Sequence, residues 1–93
     1  MTKTELIKSL NNIVVHPRNY TLDNEPYKDS SWVLERSYNH VNNTKYEMWN
    51  VFSFERGKRY DEIAFSSENE ACSYIYEKLK RWQETIKKFN LKQ

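Results

Sequence analysis

Apolar positions recur with two different periods along this chain, and the changes of period divide it. Between residues 2 and 13, Leu6, Leu10 and Ile13 fall at helical spacing, and Thr2 with Glu5 fits a capping box ahead of them. The pattern predicts a first helix over 2–13. It ends before His16-Pro17, because the residue preceding a proline disfavours the α region. Residues 16–31 hold both prolines and many Asn, Asp and Ser, and read as loop, with Asn19–Leu22 as the place for a short strand. From 32 to 65 the period becomes two. Trp32–Tyr38, Tyr46–Glu55 and Lys58–Phe65 are rich in aromatic and β-branched residues and predict three strands. Asn39–Thr44 joins the first two and Arg56-Gly57 the last two. Gly57, the only glycine, is explained by a positive-φ position in a tight turn. Ser67 and Glu70 then open a second helix, with Cys72, Ile75, Leu79, Trp82, Ile86 and Phe89 in one stripe over about five turns.

The element order is therefore α-β-β-β-α, of the α+β class. It predicts an antiparallel meander of three strands, or four if Asn19–Leu22 joins, with both helices packed on one face. Ninety-three residues support one core, so 1–93 is read as a single domain.

The Arg56-Gly57 turn implies that Glu55 faces Lys58, Ser53 faces Tyr60, Val51 faces Glu62 and Trp49 faces Ala64. Extending across Asn39–Thr44 aligns Val33, Glu35 and Ser37 with that same side. One face then carries Tyr46, Met48, Phe52, Phe54, Ile63, Phe65, Trp32 and Leu34, and is the face expected under the helices. The other carries Glu35, Glu47, Glu55 and Glu62 with Trp49, Val51 and Tyr60, and Lys58 as its only base. Two readings of that acidic face stand side by side: an ordinary solvated surface, or a docking surface for a basic partner. In the second, Trp49 and Tyr60 are the anchors, while Glu35, Glu47, Glu55 and Glu62 steer association. Segregation of sign, on a chain whose net charge is +2, favours docking.

Composition narrows the chemistry. Fourteen of 93 residues are Trp, Tyr or Phe, a supply of core area and of interface anchors. A nearly balanced charge gives no global pull toward nucleic acid or membrane. The single cysteine, Cys72, excludes an internal disulfide and fits a reducing compartment. No signal peptide or membrane span is read, so the expected location is the cytoplasm. His16 and His40 sit in predicted loops away from Cys72, so no metal site is expected. Cys72 on the apolar stripe, with Glu68 and Glu70 nearby, reads as a buried structural thiol. One glycine leaves no phosphate-cradling loop and no nucleophile elbow. No cofactor and no enzymatic activity are expected.

Nucleic-acid binding is the alternative function, since double-stranded RNA-binding domains share the α-β-β-β-α order. They meet phosphate with lysines at the start of their last helix. Here that stretch is Ser66-Ser67-Glu68-Asn69-Glu70, which repels phosphate. The alternative therefore rests on the basic end of the last helix, Lys78, Lys80, Arg81, Lys87, Lys88 and Lys92. A helix over 67–90, which carries the stripe from Cys72 to Phe89, also outruns a seven-residue strand, at roughly 36 Å to 23 Å. Its surplus at Trp82, Ile86 and Phe89 could pack on the first helix or join two copies, so the expected state is a monomer or a homodimer through the C-terminal helix.

Trp49-Asn50-Val51-Phe52-Ser53-Phe54-Glu55-Arg56-Gly57, the strand closing on Phe65, and Ser67-Glu68-Asn69-Glu70-Ala71-Cys72 resemble small immunity proteins of bacterial polymorphic toxin systems. The resemblance covers roughly residues 32–80. It implies a stoichiometric complex with a cognate toxin domain, often a nuclease, whose active site is occluded or distorted. A basic nuclease would suit an acidic docking face, whereas the net charge of +2 departs from the acidic balance common in nuclease inhibitors.

Overall fold

The computed structural model describes residues 1–88; Phe89, Lys92 and the side chain of Lys87 lie outside what is described. The first helix, α1, spans Lys3–Asn12. Its capping box is closed in both directions: Thr2 Oγ1 accepts from the Glu5 N–H at 3.2 Å, and the Glu5 carboxylate accepts from the Thr2 N–H at 3.1 Å. The helix ends in a Schellman motif, with Val14 N–H to Asn11 O at 3.1 Å and Val15 N–H to Leu10 O at 3.0 Å. Val14 takes the left-handed position there, at φ 59°.

After a 3₁₀ turn at Pro17–Asn19 come β1 (Tyr20–Thr21), β2 (Ser31–Val41), β3 (Thr44–Glu55), β4 (Lys58–Phe65) and α2 (Glu68–Lys88). Ser67 Oγ accepts from the Glu70 N–H at 3.1 Å at the start of α2. The fold is α+β, and the sheet has four strands in the order β1-β2-β3-β4. Strands β2, β3 and β4 form the meander, while β1 lies parallel to β2, with Tyr20 opposite Trp32 and Thr21 opposite Val33.

Both hairpin turns have two residues with positive φ: Asn42 and Asn43 at 49° and 65°, Arg56 and Gly57 at 52° and 77°. That conformation matches the twist of the flanking strands, and Asn tolerates it better than most residues. The first turn is four residues shorter than the expected Asn39–Thr44 connection. With Val41 opposite Thr44, Leu34 faces Val51 and Arg36 faces Trp49. The second turn keeps Glu55 opposite Lys58 and Ser53 opposite Tyr60. Beyond them a bulge, with Asp61 at φ 55°, moves the pairing by one, so Val51 faces Ile63 and Trp49 faces Phe65.

These registers correct the expected assignment of faces. Trp32, Leu34 and Phe65 lie on the helix side as expected, but beside Trp49 and Val51. Phe52, Phe54, Met48 and Tyr46 lie on the opposite side. A change of one residue in strand pairing exchanges the two faces: strands ending at Tyr38 and resuming at Tyr46 would set Val33 beside Val51, whereas the Val41–Thr44 pair sets Leu34 there. The main core joins Leu34, Trp49 and Val51 to Leu6 and Leu10 of α1 and to Cys72, Ile75 and Leu79 of α2. Past Leu79 the buried line of α2 turns toward α1: Gln83 is buried and donates to Val14 O at 3.3 Å, while Trp82 is more than one-third exposed.

The second face is closed over part of its length by the segment from Leu22 to Ser30. Tyr27 sets its ring edge-on to Phe52 at 5.8 Å and tilted on Phe54 at 5.1 Å. Arg59 lies over Phe52 at 4.3 Å, so Phe52 and Val33 are fully buried on the side away from the helices. Polar groups beneath the strap are satisfied: Thr21 Oγ1 and Ser31 Oγ are 3.0 Å apart, and Thr21 Oγ1 also accepts from the Lys28 N–H at 3.1 Å. Asp29 holds the far hairpin by accepting from the Arg56 N–H at 2.6 Å.

Candidate functional site

The six residues singled out in the sequence do not share a surface. Trp49 is 5 % exposed and belongs to the main core. Tyr60 and Glu55 lie on the helix side toward the second hairpin, and Glu47 lies on that side at the opposite end of β3. Glu35 is on the strap side. There Arg59 donates to Glu35 at 3.4 Å and to Glu62 at 3.1 Å, and Tyr27 hydroxyl donates to Glu35. Glu47 accepts from Arg36 at 3.3 Å. The expected acidic docking face is thus divided between two sides of the sheet, and three of its four carboxylates are engaged by arginine. Its premises were the parity of the first hairpin, which the two-residue turn reverses for Glu35, and an unbroken β4, which the bulge at Asp61 ends for Glu62.

Another surface takes its place. Strand β4 ends opposite Trp49, and β1 reaches only as far as Val33, with Asp23 beyond it accepting from the Arg36 N–H at 3.1 Å. From Ser37 to Met48 the β2–β3 hairpin therefore runs on as a two-stranded arm. The molecule is correspondingly long, 52 × 28 × 19 Å.

The arm has two unlike faces. On the helix side, cations and rings alternate: Arg36 lies 5.5 Å from the Trp49 ring and 5.7 Å from the Tyr38 ring, and Lys45 lies 4.0 Å from Tyr38. Glu47 and Asp23 hold Arg36 in this stack, at 3.3 Å and 3.5 Å. The other face borders the body at the row of Glu35, Asn50 and Ala64, and beyond it the arm carries Ser37, Asn39, Val41, Thr44, Tyr46 and Met48. None of these six is charged, in a chain in which 30 % of residues are. Asn50 Nδ2 donates to Ser37 Oγ at 3.1 Å, tying the two strands across this face. Val41 and Tyr46 are more than half exposed. Loss of charge together with an exposed Tyr and a half-buried Met is a composition that protein interfaces share.

The sequence signal for this surface was the Asn42-Asn43 pair. Taken as a two-residue turn, it places Val41 opposite Thr44 and so groups Asn39, Tyr46 and Met48.

The groups considered for chemistry are dispersed. His16 Nδ1 accepts from the Arg18 N–H at 3.1 Å at the start of the 3₁₀ turn, and His40 lies in the arm. Among the described residues no three His, Cys, Asp or Glu side chains converge in metal-holding geometry. Cys72 is buried in the main core, and burial, reinforced by Glu68, pushes its thiol up to about 11. A hollow of about 550 Å³ between β4 and α2 is lined by the Phe65 and Tyr74 rings together with Glu70, Glu77, Lys78 and Arg81. Its mixed charges single out no ligand. No described helix is long and apolar enough to cross a membrane. Comparison with known protein families, with curated proteins and with solved structures gives no match to this chain.

Proposed function

We propose that this chain is a stoichiometric protein-binding inhibitor of the immunity type, and that it docks on its target with the uncharged face of the β2–β3 arm. The observation that carries this reading is the sorted arm: an uncharged strip bearing Val41, Tyr46 and Met48. A flat, charge-depleted strip with an exposed tyrosine suits a partner that is itself a folded protein, with a complementary uncharged patch. The resemblance of residues 32–80 to immunity proteins supports a toxin domain as that partner. A nuclease is no longer favoured over other toxins, because the carboxylates meant to steer a basic surface are paired with Arg36 and Arg59.

The test is a calorimetric titration against the domains encoded by the genes adjacent to this one, with a ribonucleic acid duplex as the competing ligand. A 1:1 complex is expected. Tyr46→Arg and Val41→Arg should each weaken it at least tenfold, about 1.4 kcal/mol, while Glu55→Lys leaves it unchanged. Full affinity in both arm variants contradicts the docking surface. Binding of the duplex in place of the protein contradicts the function.

A further inference from the structure

We infer that the chain pairs with a second copy of itself along the outer edge of β3 in the arm, antiparallel and centred on Tyr46. Because β4 stops opposite Trp49, the backbone of Thr44–Met48 has no neighbouring strand on that side among the described residues. A row of unpaired N–H and C=O groups is a template for another strand, and folded proteins normally blunt it. Apart from Ser37–Val41 of β2, the other edges of this sheet are blunted. The outer edge of β4 is broken by the bulge at Asp61, and the near part of β2 is covered by β1 and then by the Asp23 carboxylate on the Arg36 N–H. Thr44–Met48 has neither device.

The residue order along this edge selects the partner. In an antiparallel pair centred on Tyr46, Lys45 of each copy lies opposite Glu47 of the other, Tyr46 lies opposite Tyr46, and Thr44 lies opposite Met48. Opposite charges and aromatic rings directly across a ladder are favourable, and like charges are not. Centring the pair on Lys45 sets that charge against itself, and centring it on Glu47 does the same. The exposed edge of β2 offers no such match, since around Asn39 it would set Tyr38 against His40. The charge order Lys-Tyr-Glu is therefore complementary to its own antiparallel copy, as a closed two-fold contact requires.

The two-fold axis of an antiparallel ladder stands perpendicular to the sheet, so both uncharged faces end on the same side with the two Tyr46 rings adjacent. Five residues from each copy make a small contact, so association should depend strongly on concentration. The inference does not rest on the proposed partner, and its test uses the chain alone.

Residues directly opposite in an antiparallel pair have Cα atoms about 4.5–5.5 Å apart, within disulfide range. Tyr46→Cys should therefore form an intermolecular disulfide under mild oxidation at least tenfold faster than Ser73→Cys, an exposed control on α2. Cys72 is buried and does not compete. Adding Lys45→Glu to Tyr46→Cys should slow cross-linking at least tenfold, and adding Glu47→Lys should do the same. Mixing those two double variants should restore it, as a mixed dimer resolved by mass, because each Glu then meets a Lys. Circular dichroism confirms that each variant is folded. Equal rates for the Tyr46 and Ser73 variants would overturn the inference and leave this edge to a foreign strand. So would a mixture that cross-links no faster than its components.

Discussion

The β2–β3 hairpin is one continuous pair of strands, yet its two halves lie in opposite environments. From Ser31 to Arg36, and from Trp49 to Phe54, it is covered on both sides, by the helices over Leu34 and Val51 and by the strap over Val33 and Phe52. From Ser37 to Met48 no described helix, strand or strap segment lies over either face or along either outer edge. Nothing in backbone conformation separates the halves, since both are regular antiparallel ladder. The difference lies in what each half can bury. Trp32-Val33-Leu34 and Val51-Phe52 place apolar groups on both faces, which demands cover on both. The arm alternates small, polar and aromatic residues that tolerate water. A bare two-stranded ribbon is marginal by itself. Its persistence depends on the cation–ring stack at its base and on the two-residue turn at its tip.

The largest way to break this comparison is on the strap side of the body. Phe52 is fully buried between Tyr27, Phe54 and Arg59, so Phe52→Ala should cost about 3–5 kcal/mol of unfolding free energy, measured by urea titration. A loss below 1 kcal/mol would mean that the strap is not part of the folded body.

A smaller effect comes from the helix-side core. The Cys72 thiol is raised from 9.0 to about 11, mainly by burial, so the folded state keeps its proton where the unfolded chain gives it up. Stability from this group is complete below pH 9 and is lost as pH rises toward 11. The loss is at most about 3 kcal/mol. Cys72→Ala should flatten that part of the urea-midpoint profile, and an unchanged slope would contradict a buried neutral thiol.

The smallest effect belongs to the arm. Tyr46→Ala should change stability by less than about 0.5 kcal/mol, because its side chain has little to lose on the free chain. A cost resembling that of Phe52→Ala would erase the distinction between the halves.

Much of the architecture was legible in the sequence, because it follows from local signals. Thr2 with Glu5, the change of period at Trp32 and the lone Gly57 each fix an element boundary by mechanisms acting within a few residues. What failed was parity. Whether Trp49 or Phe52 faces the helices depends on the number of residues in one turn, and Asn42-Asn43 lacks the glycine that marks Arg56-Gly57. Asp61 then added a bulge that alternation alone does not announce. The strap was hidden for another reason. Tyr27 covers Phe52 through a contact between segments far apart in the chain, and a loop composition rich in Asn, Asp and Ser carries no sign of it. The acidic face followed from the wrong parity, and the uncharged arm face is the same pattern with its parity restored.

Backbone amide exchange on the free chain, at a concentration low enough to keep copies apart, tests the contrast between the two halves most directly. Amides of Val33, Leu34, Val51 and Phe52 should exchange only through global unfolding. Those of Ser37–Met48 should exchange at least a hundredfold faster, through local opening. Equal protection along the whole hairpin would contradict the account, because an arm as stable as the body would have no surface in need of a partner.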